Sequence, residues 1–183
     1  GANSYSYSGG SGVVSPTVTT SYSVWGSSAG CVSPAPAVAT ITVRQLPVVS
    51  VTGGTLCAGD AFTFAPSGAA TYSYSSGTAV IVLSVTAVYT ITGTDSSGCS
   101  SSPALVSVVV NQLPILTFPG GSVCVGESFT LNPSGAGSYT FSSGTPVVTP
   151  SVTSSFSAVG TDTNGCVSNT AVAQVTVHPS PQV

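Results

Sequence analysis

The chain carries an internal repeat with a period of 67 residues, and a period of that size limits the fold more than any other feature. Gly68-Ala69 through Tyr72-Ser73-Tyr74-Ser75-Ser76-Gly77 returns as Gly135-Ala136 through Tyr139-Thr140-Phe141-Ser142-Ser143-Gly144. The same phase fits Gly1-Ala2 through Tyr5-Ser6-Tyr7-Ser8-Gly9. Further on, Tyr89 to Gly98-Cys99 matches Phe156 to Gly165-Cys166, whereas the first copy, Tyr22 to Gly30-Cys31, is one residue shorter and lacks the acid supplied by Asp95 and Asp162. Each copy then runs through a strand-like stretch (Val38 to Val43, Val106 to Val110, Ala173 to Val177) into a join marked by proline. The organisation expected is an incomplete repeat over 1–47 and complete repeats over 48–114 and 115–183.

Short runs of Val, Thr and Ile broken by Gly and Pro describe strands and tight turns, and no stretch sustains a helical period. A unit of this size with such strands is expected to be a small β-sandwich, so the chain reads as all-β, a tandem of immunoglobulin-like antiparallel sandwiches. The short joins leave little slack between neighbours. The first repeat lacks the counterpart of residues 50–67, which hold a cysteine and two expected strands, and a sandwich without them exposes sheet edges and a core groove. Three readings stay open: a longer repeat array, strands donated by another chain, or a half-domain standing alone. The opening Gly1-Ala2-Asn3, with neither Met nor a signal pattern, is what a mature or excised piece would show.

Five cysteines sit at repeat positions. Cys57 with Cys99, and Cys124 with Cys166, recur at the same separation of 42 residues. Spacing alone permits other connectivities, but only this one keeps each bridge inside a repeat, and it is the pairing expected. A small unit that buries little core gains most from such staples, and disulfides point to an oxidising, extracellular or cell-surface location. Cys31 occupies the position of Cys99 and Cys166, so its partner belongs to the missing half.

Tyr7, Tyr74 and Phe141 share one repeat position, and Tyr5, Tyr72 and Tyr139 another two residues earlier. Residues two apart face one side of a strand, so at least one of each pair is expected in the sandwich core. Trp25 is unique to the first copy and is the better candidate for stacking on a sugar.

Charge excludes several classes. The chain has one Lys or Arg, four Asp or Glu and a formal net charge of -3. One cation cannot neutralise a row of phosphates, so neither nucleic acid nor an acidic membrane is an expected partner. The longest apolar run, Ala79 to Leu83, is far short of the roughly 20 residues of a membrane helix, so no membrane insertion is expected. Weak mutual repulsion favours association between copies. Abundant Ser and Thr offer hydroxyls for O-linked glycans, while no Asn heads an Asn-x-Ser/Thr sequon.

Neither a cofactor nor a metal is expected: no CxxC occurs, and the one histidine, His178, lies at the last join. No enzyme is expected either, because catalysis needs a positioned base, nucleophile or metal. Within-repeat bridges would bring Asp60 near Asp95 and Glu127 near Asp162, but a duplicated pair in tandem small domains argues against a unique active site. The simpler reading is that each acid shapes its turn.

Cys57-Ala58-Gly59-Asp60 and Cys124-Val125-Gly126-Glu127, Tyr72-Ser73-Tyr74 and Tyr139-Thr140-Phe141, and the Gly-Thr-Asp-x-x-Gly-Cys stretches ending at Cys99 and Cys166 together resemble the tandem immunoglobulin-like, PKD-like repeats of large secreted bacterial surface proteins. The chain departs from that family in lacking the Trp of its Tyr-x-Trp motif and in its low charge. The resemblance implies a spacer, stalk or adhesive role. The function expected is a structural segment of an extracellular bacterial fibre or stalk, assembled from copies of itself by β-strand complementation of the first repeat. The joint would lie around Tyr5, Tyr7, Tyr22, Trp25, Cys31, Val38 and Val43. The alternative is an adhesive or carbohydrate-binding module.

Overall fold

A computed structural model describes residues 1–181. The last two residues of the expected third repeat, which runs to Val183, lie outside the described residues. The chain contains strands and turns and, among the described residues, no helix. In the first repeat the strands are β1 (Ser4–Tyr7), β2 (Thr20–Ser28), β3 (Cys31–Val32) and β4 (Ala37–Ile41). In the second they are β5 (Gly54–Cys57), β6 (Ala61–Thr63), β7 (Thr71–Tyr74), β8 (Val80–Val82), β9 (Ala87–Thr94) and β10 (Ala104–Asn111). The third repeats this set as β11 (Gly121–Cys124), β12 (Phe129–Thr130), β13 (Ser138–Phe141), β14 (Val147–Val148), β15 (Ser154–Thr161) and β16 (Ala171–His178).

Each complete repeat forms a four-stranded sheet, in the order β5-β10-β9-β7 or β11-β16-β15-β13, and a two-stranded sheet, β6-β8 or β12-β14. β9 and β15 run antiparallel to β10 and β16, β13 to β15, β6 to β8 and β12 to β14, whereas β5 lies parallel on β10 and β11 on β16. This is an immunoglobulin-like sandwich, and the fold class expected from the sequence is the one found.

Alternation along the strands makes the core. Along β10 the residues Val106, Val108 and Val110 are buried while their neighbours are not, the period-two pattern of a strand with one face on a core. In the third repeat Leu131, Val148 and Val175 form the buried cluster, with Phe118, Val123, Phe129, Phe141 and Phe156 packed against it. Phe64, at the Leu131 position of the second repeat, is 3% exposed and stacks with Tyr74 at 5.9 Å and edge-on to Tyr89 at 5.3 Å. Burying one such side chain contributes about 1.5–3 kcal/mol.

The chain divides into two compact units whose boundaries cut through the second repeat: residues 1–49, 68–72 and 92–103 form one, and 50–67, 73–91 and 104 onward the other. In the first unit, β2 pairs with β1, β3 and β4, and among the described residues no strand takes the place on β4 that β5 and β11 take on β10 and β16. Local devices are nonetheless those of the complete repeats. The Val43 amide donates to Thr19 Oγ1 (3.0 Å) as Val110 does to Thr86 and Val177 to Thr153.

The disulfide pairing differs from the expectation. Cys57 is bonded to Cys166 across 109 residues, and Cys31, Cys99 and Cys124 are free thiols. The cause is strand direction. Cys124 lies opposite His178 at the C-terminal end of β16, whereas Cys166 closes a turn that returns the chain to Ala171 at the opposite end. An eight-residue strand is about 23 Å long, and bridged Cα atoms lie within about 7 Å. Cys57 and Cys99 hold the same places in the same strand order, so neither Cys57–Cys99 nor Cys124–Cys166 forms.

Candidate assembly site

The first repeat ends in an open apolar groove. Tyr7, Val14, Tyr22, Val24, Ala39 and Ile41, with Ser11 and Gly12, enclose about 160 Å³. Register explains why these side chains meet: Tyr7 lies opposite Val24 and Tyr22 opposite Ala39, so all point to one face of the β1-β2-β4 sheet. Shifted by the repeat period, Tyr7, Tyr22, Val24, Ala39 and Ile41 become Tyr74, Tyr89, Ile91, Val106 and Val108, and then Phe141, Phe156, Ala158, Ala173 and Val175. Those positions carry the core of the complete repeats. The groove is therefore a core surface without the side chain that Phe64 or Leu131 lays across it.

The opening extends along the same face. A Cβ on Gly93 would meet Ala69 and Val49 at 2.5 Å, and one on Gly160 would meet Ala136 and Leu116. At Gly26 only Ala2 (2.7 Å) and the Tyr5 ring are close, because the Val49 or Leu116 position precedes the described half-repeat.

Of the residues expected at the joint, Tyr7 and Tyr22 line the groove. Tyr5 and Val43 lie further along its face, Tyr5 58% exposed opposite Gly26, and Val43 two residues beyond Ile41 on the same parity. Trp25 and Val38 belong to the other face: Trp25 is half-buried opposite Ser6, and Val38 is 64% exposed opposite Ser23. Cys31 stands apart on the hairpin after β2, where Ser28 pairs with Cys31 around Ala29 (φ 50°) and Gly30 (φ 84°). Val14, Val24, Ala39 and Ile41 were not singled out from the sequence, although the repeat phase that relates them to buried positions was already visible there.

The acids shape turns. Asp162 Oδ1 accepts the amides of Asn164 and Cys166, both at 2.8 Å, and Asp95 Oδ1 those of Ser97 and Cys99 at 2.8 and 2.9 Å. Glu127 Oε2 accepts from the Cys124 amide at 3.2 Å. With Cys124 and Cys166 at opposite ends of β16, the expected approach of Glu127 to Asp162 does not occur. Among the described residues no three His, Cys, Asp or Glu cluster as metal ligands would.

No family model matches the chain, and no curated protein does either. Solved structures do. The chain is similar to Drosophila OTK extracellular domains 3-5 at 12% identity, covering 87% of this chain and 71% of that one with a TM-score of 0.38. It is also similar to the fibronectin(III)-like modules of Clostridium thermocellum CbhA, at 14% identity over 72% of this chain and 95% of that one, TM-score 0.34. Human protocadherin-24 EC1-2 matches at 14% identity over 75% and 100%, TM-score 0.32.

Proposed function

We propose that the chain is a structural segment of an extracellular fibre or stalk, and that the first repeat is completed by a β-strand from outside residues 1–183, donated by a neighbouring copy or another part of the assembly. The observation that carries this reading is the groove of Tyr7, Tyr22, Val24, Ala39 and Ile41, whose repeat equivalents are core residues. Left in water, that surface and the free edge of β4 cost several kcal/mol relative to a filled site. A strand that ran parallel on β4, as β5 runs on β10, would cover both. The disulfide supports an oxidising compartment, and the resemblance to PKD-like repeats of bacterial surface proteins agrees with it. In this reading the chain acts as scaffold, with Asp95, Glu127 and Asp162 engaged in turns.

The complete repeats specify what the donated strand needs. Gly53 runs so close to β10, and Gly120 to β16, that a Cβ there would stand 1.9 Å from the Ser107 carbonyl oxygen or 2.1 Å from that of Gln174. A donor therefore carries glycine at this point and a large apolar residue where Phe64 and Leu131 stand. A synthetic peptide of the sequence 48–67, added to the intact chain, should slow amide exchange in β2 and β4. Unchanged exchange at saturating peptide would sink the reading. Retention on a glycan array, abolished by Trp25→Ala, would turn it instead toward an adhesive module.

A further inference from the structure

We infer that two of the three free cysteines are the halves of a second disulfide, and that successive copies are joined head to tail by a bond from Cys124 of one to Cys31 of the next. The inference rests on the fibre reading above and names its covalent link. The bridge already present supplies the rule: the early cysteine of one repeat, Cys57, is bonded to the late cysteine of the following repeat, Cys166.

Cys124 reproduces the setting of Cys57. It ends a strand laid parallel on the last strand of its repeat, opposite His178 as Cys57 is opposite Asn111. The Val125 amide donates to the His178 carbonyl at 3.0 Å, as Ala58 does to Asn111 at 2.9 Å, and Glu127 donates to the Cys124 carbonyl at 3.0 Å, as Asp60 does to Cys57 at 3.1 Å. Yet Cys124 is an exposed thiol.

Cys31 reproduces the setting of Cys166. Each follows a glycine in the left-handed region, Gly30 at φ 84° and Gly165 at φ 83°. Two residues on, Ser33 donates its amide to the Gly26 carbonyl (2.8 Å) and accepts the Gly26 amide at Oγ (3.3 Å), as Ser168 does with Gly160 (2.8 and 2.9 Å). The hairpin is one residue shorter, but its Gly-Cys-x-Ser end is the same, and Cys31 too is exposed. One copy thus displays an early cysteine in its third repeat and a late one in its first. A contact between these two different surfaces does not close on itself and propagates a filament. Forming the bond removes two protons and two electrons from the two thiols, and a small-molecule disulfide accepts them to become two thiols.

The test is oxidation of the full chain with glutathione disulfide, read by nonreducing electrophoresis, peptide mapping and electron microscopy. A ladder of covalent multimers that reductant collapses, with a Cys124–Cys31 peptide, is expected. Cys124→Ser and Cys31→Ser should each abolish the ladder while retaining the Cys57–Cys166 bond as a check of folding, and Cys99→Ser should leave it intact. A ladder mapped to Cys99, or a product that stops at a Cys124–Cys124 dimer, overturns the inference. So do filaments seen in the microscope without the Cys124–Cys31 bond, an outcome that leaves the fibre reading standing. Folded monomers under the same oxidation overturn both.

Discussion

Strands β1, β2 and β4 of the first repeat pair in the same register as β13, β15 and β16 of the third, yet of the two only the third has an interior. Phe141, Phe156 and Val175 pack with Leu131 and Val148, whereas among the described residues no second sheet covers Tyr7, Tyr22, Val24, Ala39 and Ile41. No residue of the first repeat is fully buried, while Val175 and Cys166 are wholly enclosed. Hairpin pairing and turn chemistry are thus local enough to form without the second sheet, and burial is not. An apolar face becomes a core only when an opposing layer covers it.

The third repeat is most vulnerable at its disulfide. Cys57→Ser should destabilise the unit containing the third repeat by about 4.7 kcal/mol if chain entropy over so long a loop dominates. The first repeat should be unaffected, and chemical denaturation followed by residue-resolved exchange would show whether the loss stays on one side. Next comes the core itself. Leu131→Ala should cost about 2–5 kcal/mol, the range for emptying a packed aliphatic site. An effect below about 1 kcal/mol would mean that the third repeat is no better packed than the first.

The turns of the two repeats differ at smaller scale. Asp162→Ala removes an acceptor that holds two amides, and hydrogen bonds to charged groups contribute about 1.5–3 kcal/mol each, less what water restores at this exposed turn. A loss of about 1–2 kcal/mol is expected in thermal unfolding, with no counterpart at the acid-free Ser28–Cys31 hairpin. The smallest effect belongs to the groove. Ile41→Ala in the isolated chain should change stability by less than about 0.5 kcal/mol, as at a surface site. With the 48–67 peptide bound, the same substitution should weaken peptide affinity about tenfold or more, measured by calorimetry. Equal effects with and without peptide would show that the groove is not a core awaiting its cover.

Much of this was legible in the sequence because it is local or periodic. Tyr5 and Tyr7, two residues apart, share a face of β1, and Asp95 and Asp162, three residues before glycine, each hold a turn, as their spacing suggested. Trp25, unique to the first copy, and Val38, which opens a strand-like stretch, were placed with the joint, but one-residue offsets along a strand put them on its other face. The cysteine pairing lay further out of reach. Position within the repeat suggested Cys57 with Cys99 and Cys124 with Cys166, and neither bridge is present. Which early cysteine meets which late one depends on where the ends of β10 and β16 lie in space. The early and late cysteines of one repeat stand a strand's length apart, and Cys57 of the second repeat comes within bonding distance of Cys166 of the third. Strands and turns follow from near neighbours along the chain and could be read there; the bridge could not, because a bond between residues 109 apart depends on how strands are laid end to end and not on their spacing.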